Sequence, residues 1–280
     1  MKIRWAISLE ETMTSPNFQN IFRKAILCLS ETEVEYQKRF RFKEDALACL
    51  IGKLMPRKAA VLHTNRQWNS LEFVKNESGK PSLRQEATSV PRFEYNVSHQ
   101  GDLVVLATGE TRIGVDVMRI DESRRETASE QVDSFKRHFS EDEIESVKGG
   151  DKSDLKRWQA FYRIWCLKES ILKATGVGLP DGLHNHTFQL DPIYEHIPGS
   201  STTSSLYFHQ SILQLQWTFE ESYIGENHCV AVASESQSKE FVPFEMTTLS
   251  EMIDEADFIN VTADPDEELD AFMEKPNKPF

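Results

Sequence analysis

Cysteine and long apolar segments are scarce in this 280-residue sequence. Its four cysteines lie at positions 28, 49, 166 and 229, and no two have the spacing of a zinc site or a redox pair. We therefore expect the buried, reduced thiols of a cytoplasmic protein. No apolar run approaches the roughly 20 residues that a membrane span requires, and the N-terminal MKIRWAISLEE lacks the apolar core of a signal peptide. These absences predict neither a membrane protein nor a secreted one.

Basic residues are also in deficit, because 32 Lys and Arg face 45 Asp and Glu, for a formal net charge of −13. The deficit is uneven: residues 234–280 hold 13 acidic and 3 basic residues, which leaves −3 for residues 1–233. This balance argues against nucleic-acid binding, which requires many cations to replace counterions. Residues 234–280 form an acidic tail that is either disordered or laid over the surface.

Aromatic residues are plentiful, with 17 Phe and 5 Trp, enough to build a core. Helical and alternating patterns are intermixed without a βαβ rhythm, which favours an α+β fold over a parallel α/β fold. Strands are predicted at 3–9, 71–75, 93–98, 103–108, 112–120, 187–190, 206–208, 213–220 and 229–233. Helices are predicted at 17–29, 31–38, 44–60 and 154–175, with a capping box from Ser140 to Glu143.

Two local expectations are sharper. Pro56 should kink or end the helix at 44–60, because its ring removes a donor and clashes one turn back. The strands at 103–108 and 112–120 should pair as a hairpin through the turn at 109–111.

The helix at 154–175 carries the carboxylate of Glu169 among apolar residues. At about 100° per residue, Glu169 falls one turn after Trp165, and Lys173 lies one turn further on. A buried carboxylate must be paired, protonated or bound to a cation. The sequence leaves open an ordinary Glu169–Lys173 pair and a functional site. Lys168 falls between two apolar arcs of the helix and has no assigned role.

A second carboxylate, Asp116, lies in the strand IGVDVMRI between two valines. Asp is disfavoured in strands, so it is either an oxygen ligand for a hard cation such as Mg²⁺ or a residue at a solvated sheet edge. The run NVSHQG at 96–101 offers amide, hydroxyl and imidazole donors, and SGKP at 78–81 presents Lys80 on a turn. Two carboxylates with several phosphate-binding donors match the needs of phosphoryl transfer.

Taken in order, SGKP, NVSHQGD, GVDVM and WCLKESILKATGVGL resemble the Sfp-type 4′-phosphopantetheinyl transferases, whose pattern is G-[IV]-D followed by W-x-x-K-E-[AS]-x-x-K. The runs FYRIWCLKESILKATGVGL and SHQGD, with the helix around residues 40–58, resemble most closely the animal-type L-aminoadipate-semialdehyde dehydrogenase phosphopantetheinyl transferases. The resemblance covers residues 3–233.

The resemblance implies an enzyme that transfers 4′-phosphopantetheine from coenzyme A to a serine of apo carrier-protein domains, with Mg²⁺, releasing adenosine 3′,5′-bisphosphate. The carriers implied are of the fatty acid synthase and aminoadipate-semialdehyde dehydrogenase types. The implied fold has two similar α+β subdomains, here 1–107 and 108–233 before the tail 234–280, with the active site in the cleft between them. A cytoplasmic monomer is expected. The competing class is a non-catalytic module that binds coenzyme A or a carrier protein.

The resemblance also implies roles for individual residues. Asp116 and Glu169 would hold Mg²⁺, and Gln100 or water would complete its shell, because Met118 replaces the third carboxylate of many bacterial members. Glu169 would also act as the base for the carrier serine, and Lys173 would stabilise the departing bisphosphate. The predicted coenzyme A contacts are Lys75, Lys80, Asn96, Val97, Ser98, His99, Glu169 and Lys173.

Two points stay open within the resemblance. The Arg that family members use for the 3′-phosphate does not align here; Tyr36 falls nearest, and Lys38 or Arg39 are the substitutes. The basic residues beyond the strand at 112–120 form either a docking surface for acidic carrier domains or a solvated loop. They are Arg119, Arg124, Arg125, Lys136 and Arg137.

Overall fold

The computed structural model describes residues 1–77, 79–86, 91–121, 125–178, 182–191 and 194–278. Within them, the strands are β1 Arg4–Ser8, β2 Phe73–Lys75, β3 Pro81–Leu83, β4 Glu94–Gln100, β5 Leu103–Gly109, β6 Ile113–Arg119, β7 His186–Gln189, β8 Ser201–Thr202, β9 Leu206–His209, β10 Ile212–Leu213, β11 Thr218–Ile224, β12 His228–Ser234 and β13 Glu245–Met246. The α-helices are α1 Leu9–Thr14, α2 Phe18–Leu27, α3 Glu31–Lys38, α4 Lys43–Thr64, α5 Ala128–Phe135, α6 Glu141–Lys148, α7 Asp154–Thr175, α8 Leu249–Ile253 and α9 Pro265–Met273. This mixture confirms the predicted α+β class.

The first sheet has the strand order β13-β1-β5-β4, antiparallel except for the β13–β1 pair. Helix α4 packs on it, and the first hydrophobic core includes Phe22 of α2, Leu47 and Leu54 of α4 and Leu106 of β5, all fully buried. The burial of such side chains is the main force that holds these layers together.

Helix α4 does not end at Pro56, the position where the sequence predicted a kink or an end. It continues to Thr64, and Asn65 then takes a left-handed conformation with φ of 54°. The turn beyond the proline is fixed by Arg57, whose guanidinium donates to the Leu71 carbonyl oxygen (3.2 Å) and pairs with Glu33 (3.0 Å). These contacts and the burial around them offset the hydrogen bond that proline removes.

The second sheet has the order β6-β12-β11-β8, and helix α7 lies across it. The predicted hairpin of β5 with β6 is wrong, because β5 pairs with β1 and β4 whereas β6 pairs with β12. The turn at 109–111 therefore carries the chain from one sheet to the other. A local pattern cannot distinguish the two outcomes; here β1 and β4 take both edges of β5, which leaves none for β6. Helix α7 and the second sheet enclose a second hydrophobic core, to which a smaller sheet, β10-β9-β7, contributes Phe188 and Tyr207.

The two sheets meet where β4 faces β6. Polar side chains of β4 bind the backbone of β6: the Asn96 Oδ1 accepts from the Val115 N–H at 2.8 Å, and the Gln100 Oε1 accepts from the Arg119 N–H. A second link is the ion pair of Arg4 with Glu220, 2.6 Å long and almost fully buried. Side-chain contacts thus join the two sheets, whereas backbone hydrogen bonds join the strands within each sheet.

The acidic tail packs against the first core. Strand β13 adds to β1 in parallel, and the backbone N–H groups of Ile259 and Asn260 both donate to the Leu27 carbonyl oxygen. Leu269 and Phe272 of α9 are buried in that core. Of the two alternatives that the sequence left for this segment, the structure shows the one laid over the surface. In the part of the chain described, none of the helices is long and apolar enough to span a bilayer.

Candidate active site

Strand β6 and helix α7 touch directly at Gly114. A Cβ at this position would lie 2.1 Å from the Ser170 carbonyl oxygen and 2.4 Å from the Ala174 nitrogen, so only glycine allows this approach. Asp116 follows two residues later on the same face of the strand. Its carboxylate Oδ1 consequently lies 2.6 Å from the Nζ of Lys173 on α7.

Asp116, Ser98 and Lys173 form a closed network. The Asp116 Oδ1 accepts from the Ser98 hydroxyl at 3.0 Å, and the Lys173 ammonium also donates to the Ser98 Oγ at 2.8 Å. The side chain of Asp116 is buried, and its other oxygen, Oδ2, has no hydrogen-bond partner among the described residues. A buried acceptor without a partner costs about 1–3 kcal/mol, which a ligand could recover.

Glu169 stands one helical turn before Lys173 and is half-buried. The simple Glu169–Lys173 pair does not form; in the described chain, Glu169 makes neither a hydrogen bond nor an ion pair, because Lys173 binds Asp116 instead. Burial raises the pKa of Glu169, the Asp116 carboxylate raises it further, and Lys173 lowers it. The negative charges of two neighbouring carboxylates repel each other, and a bound cation would relieve this repulsion.

These residues fit a hard divalent cation. The free Oδ2 of Asp116 and the carboxylate of Glu169 are oxygen ligands of the kind that Mg²⁺ prefers, and this ion commonly takes only one or two carboxylates and completes its shell with water and phosphate. The predicted ligand Gln100 spends one lone pair on the Arg119 N–H and keeps the other. Among the described residues, no three His, Cys, Asp or Glu side chains converge.

The side chains of the NVSHQ run point to alternate sides of strand β4. Asn96, Ser98 and Gln100 point toward β6, so Asn96 and Gln100 bind backbone there. Val97 packs beside Gly52 of α4, and the exposed His99 lines a concave pocket. Desolvation lowers the pKa of His99. The positive charges of Lys173 and Lys278 lower it further, whereas the negative charges of Asp45 and Asp116 raise it. A neutral imidazole at this position can donate one hydrogen bond.

Lys75 and Lys80, the two other lysines predicted to contact coenzyme A, are not part of the Asp116–Ser98–Lys173 network. The Lys80 ammonium donates to the carbonyl oxygens of Ile113 and Ala174, both at 2.9 Å, so it joins the β2–β3 turn to β6 and the end of α7. Burial lowers the pKa of Lys80 to about 8. Ser78 of the same SGKP motif lies outside the described residues.

Lys75 belongs to a cluster of three cations around the exposed ring of Tyr36. The Nζ atoms of Lys75 and Lys53 lie 5.9 and 5.6 Å from the ring centroid, and the Arg39 guanidinium carbon lies 5.6 Å from it. In the described part of the chain, none of these cations pairs with a carboxylate. Lys38, one of the substitutes considered for the 3′-phosphate, is instead paired with Glu268 at 2.6 Å.

Lys168, which the sequence left without a role, is a buried structural anchor. Its ammonium lies 2.9 Å from the Glu143 carboxylate, with both side chains 0% exposed, and it donates to the carbonyl oxygens of Leu183 and His186. Glu143 also closes the predicted capping box at Ser140. The capping box was readable from the sequence, but a partner 25 positions away was not. Lys168 thus fixes the helix that carries Glu169.

Sequence reasoning missed several side chains of the concave pocket beside His99. Lys43 at the start of α4, Asp45 two residues later and Lys278 of the tail line it, as does Arg119, which the sequence placed in a docking surface or a loop. Lys43 begins the helix that resembles the family around residues 40–58. That resemblance was the one signal in the sequence that could have pointed to this residue. Lys136 and Arg137 are exposed, as is Arg125, whereas Arg124 lies outside the described residues.

Comparison with known proteins agrees with this geometry. Residues 15–111 match the family described as 4′-phosphopantetheinyl transferase, N-terminal, and residues 112–233 match the 4′-phosphopantetheinyl transferase superfamily. Proteins named L-aminoadipate-semialdehyde dehydrogenase-phosphopantetheinyl transferase from Pongo abelii and Homo sapiens are each 35% identical over 233 residues, which is 82% of this chain and 74% of theirs.

A bacterial protein, the 4′-phosphopantetheinyl transferase psf-1 of Bacillus pumilus, is 31% identical over 154 residues, 55% of this chain and 60% of its own. The resemblance first seen in four short motifs therefore extends over most of the chain, and the animal proteins share it at greater length than the bacterial one. The chain belongs to the 4′-phosphopantetheinyl transferase superfamily.

Proposed function

We propose that this protein transfers 4′-phosphopantetheine from coenzyme A to a serine of an apo carrier-protein domain, in a reaction that depends on Mg²⁺. The observation that carries the proposal is the buried Asp116, held by Ser98 and Lys173: its Oδ2, like the carboxylate of Glu169 one turn before Lys173, has no hydrogen-bond partner among the described residues. Membership of the superfamily and the names of the relatives support the reaction class.

In this proposal Asp116 and Glu169 hold the cation, which supplies positive charge to the pyrophosphate oxygens when bound. The carrier serine Oγ attacks the phosphorus that bears the pantetheine, and Glu169 accepts the proton of that hydroxyl. The new bond is Oγ–P, the P–O bond of the pyrophosphate breaks, and adenosine 3′,5′-bisphosphate leaves. Lys173, whose ammonium binds Asp116 in the same network, offsets charge on the leaving group.

The cations around Tyr36 supply the missing contact to the 3′-phosphate. Lys53 lies eight residues after Asp45 on α4, which is about 12 Å along the helix from the pocket that contains His99. A bound nucleotide can therefore extend from His99 toward Arg39, Lys53 and Lys75, whose charges are free in the described chain. Lys80 then contacts a phosphate only by releasing one of the carbonyl oxygens it now binds.

The competing class is a module that binds coenzyme A or a carrier without turnover. Binding alone would be served by Lys, Arg and His side chains. It does not call for a half-buried carboxylate that pairs with none of the described residues, and Glu169 is such a group. We therefore favour catalysis, and we propose carriers of the fatty acid synthase and aminoadipate-semialdehyde dehydrogenase types as substrates.

The test is the intact mass of both carrier types after incubation with the protein, coenzyme A and Mg²⁺. We expect a gain of one phosphopantetheine that is absent with a chelator and in Glu169→Gln. The matched control is Glu141→Gln, the same change at an exposed position of α6, which should retain full activity. Binding of coenzyme A with no change of mass on either carrier would favour the non-catalytic module instead.

A further inference from the structure

Tyr36 differs from the other tyrosines of this chain in its exposure, which is 43%. The other five are buried or half-buried: Tyr95, Tyr162, Tyr194, Tyr207 and Tyr223. Of the two half-buried hydroxyls, that of Tyr223 is enclosed, and that of Tyr194 bonds to the Ser200 hydroxyl at 2.8 Å. The Tyr36 hydroxyl, on helix α3, makes no hydrogen bond to any described residue. An enzyme that modifies tyrosine in the folded protein therefore finds its accessible hydroxyl at Tyr36.

Three positive side chains surround the ring of Tyr36. The Nζ atoms of Lys53 and Lys75 lie 5.6 and 5.9 Å from the ring centroid, and the guanidinium carbon of Arg39 lies 5.6 Å from it. These long side chains end in several N–H donors, and in the described chain none of them is paired with a carboxylate. An anionic group added to the Tyr36 hydroxyl would thus enter a ready-made cluster of cations.

The residues before Tyr36 are acidic, because the run ETEVEY places Glu31, Glu33 and Glu35 ahead of it. Glu33 pairs with Arg57 at 3.0 Å, and Glu35 pairs at 2.7 Å with the lysine that ends the helix, so both have cation partners outside the cluster around the ring. Glu31 and Glu35 are exposed. By charge complementarity, this run suits a modifying enzyme whose substrate groove is basic.

We propose that Tyr36 is a phosphorylation site and that its phosphate blocks coenzyme A by occupying Arg39, Lys53 and Lys75. ATP is the donor and a protein tyrosine kinase the catalyst. The Tyr36 Oη forms a bond to the γ-phosphorus, the bond from that phosphorus to its bridging oxygen breaks, ADP leaves, and the phenolic proton passes to a base of the kinase. The new group brings a charge of about −1.5 to −2 and three strong acceptor oxygens, which form charge-assisted hydrogen bonds with the cations.

This inference rests on the proposed function, in which the same cations bind the 3′-phosphate of coenzyme A. The phosphate on Tyr36 and the 3′-phosphate have the same chemistry, and the two compete for the same donors. The phosphate on Tyr36 has the advantage of being tethered, because its binding is intramolecular and its effective concentration is high. Phosphorylation therefore turns the donor-substrate site off, and a phosphatase turns it on again.

The test treats the full chain with ATP and a tyrosine kinase that prefers acidic substrates, and it measures the intact mass. The affinities for coenzyme A and for 3′-dephospho-coenzyme A, which lacks the competing phosphate, are then compared before and after treatment. Tyr36→Phe removes the acceptor hydroxyl. The matched control is Tyr223→Phe, the same change at a half-buried position of β11. Thermal unfolding of each variant verifies that it is folded.

We expect a gain of one phosphate in the wild type and in Tyr223→Phe, and none in Tyr36→Phe. The phosphorylated chain should bind coenzyme A at least about tenfold more weakly, and a phosphatase should restore the affinity. Binding of 3′-dephospho-coenzyme A should stay within about twofold. A wild type that gains no phosphate at Tyr36 would overturn the inference, as would an unchanged affinity for coenzyme A or an equal loss for both ligands.

The unmodified wild type separates this failure from failure of the proposed function. It should transfer phosphopantetheine to a carrier and should bind coenzyme A more tightly than 3′-dephospho-coenzyme A. Loss of either result would overturn the proposed function, and the inference with it. When both results hold, the response to the kinase decides the inference about Tyr36 alone.

Discussion

Replacing Lys168 with Met should destabilise the fold more than any other lysine substitution on α7. The Lys168 ammonium and the Glu143 carboxylate are 2.9 Å apart, and neither side chain is exposed. Met has a similar length and fills much of the same space, so the substitution removes charge and hydrogen bonds with little loss of packing. The carboxylate of Glu143 would then remain in the core without a cation.

The size of the stability loss depends on the polar groups that remain buried after the substitution. Removing one partner of a buried ion pair costs about 3–5 kcal/mol, because the remaining charge is uncompensated. Glu143 keeps two backbone donors, the N–H groups of Ser140 and Phe188, which lower that cost. The carbonyl oxygens of Leu183 and His186 lose a donor, which raises it. We therefore expect a loss of about 3 kcal/mol in the free energy of unfolding, a large part of the stability of an ordinary domain.

Urea denaturation measures this loss. Lys156→Met, the same change at an exposed position of α7, is the matched control and should stay within about 0.5 kcal/mol of the wild type. Adding Glu143→Gln to Lys168→Met removes the orphaned charge and should recover part of the stability. A loss below about 1 kcal/mol in the single variant, or no recovery in the double variant, would refute the anchoring role given to this pair.

Three further predictions concern the site. Burial and Asp116 raise the pKa of Glu169, so its ionisation destabilises the fold as the pH rises through that value. In metal-free buffer, Glu169→Gln should raise the Tm at neutral pH but not in strong acid, and calorimetry showing a lower neutral Tm would contradict this. Burial lowers the pKa of Lys80 to about 8. Affinity for coenzyme A should fall as the pH rises through that value, and Lys80→Arg should flatten the titration profile; an unaltered profile would count against phosphate contact. Gly114→Ala forces a Cβ against the Ser170 carbonyl oxygen and should cost about 1–3 kcal/mol in urea denaturation, with reduced transfer; a neutral effect would show that β6 and α7 separate freely.

Local signals in the sequence predicted the elements that form by local rules. The long helix α7 ends where a glycine takes the left-handed conformation, with φ of 73° at Gly176, and the capping box at Ser140 forms as expected. The polar faces of β4 and β6 were also readable, because strand period alone places Asp116 and Gly114 together. Helix and strand periods are set by neighbours in sequence, so a single chain suffices to read them.

Long-range pairing could not be read in the same way. The turn after β5 gave no sign that the next strand joins a different sheet, and Lys168 gave no sign that its partner is Glu143. The acidic tail was left with two alternatives for a related reason. Its many charges mask the spaced apolar residues, such as Leu269 and Phe272, that bury against a core built 200 or more positions earlier. Such contacts depend on how separate elements meet, which no local period encodes.

The most direct test of the central claim is single-turnover transfer to an apo carrier at saturating coenzyme A and Mg²⁺, comparing the wild type with Glu169→Gln. If Glu169 holds the cation and takes the serine proton, the variant should still bind coenzyme A through the cations near Tyr36 and His99. Its transfer rate should fall by at least about 10²-fold, the scale of losing a general base. A variant that modifies the carrier at the wild-type rate would contradict the account.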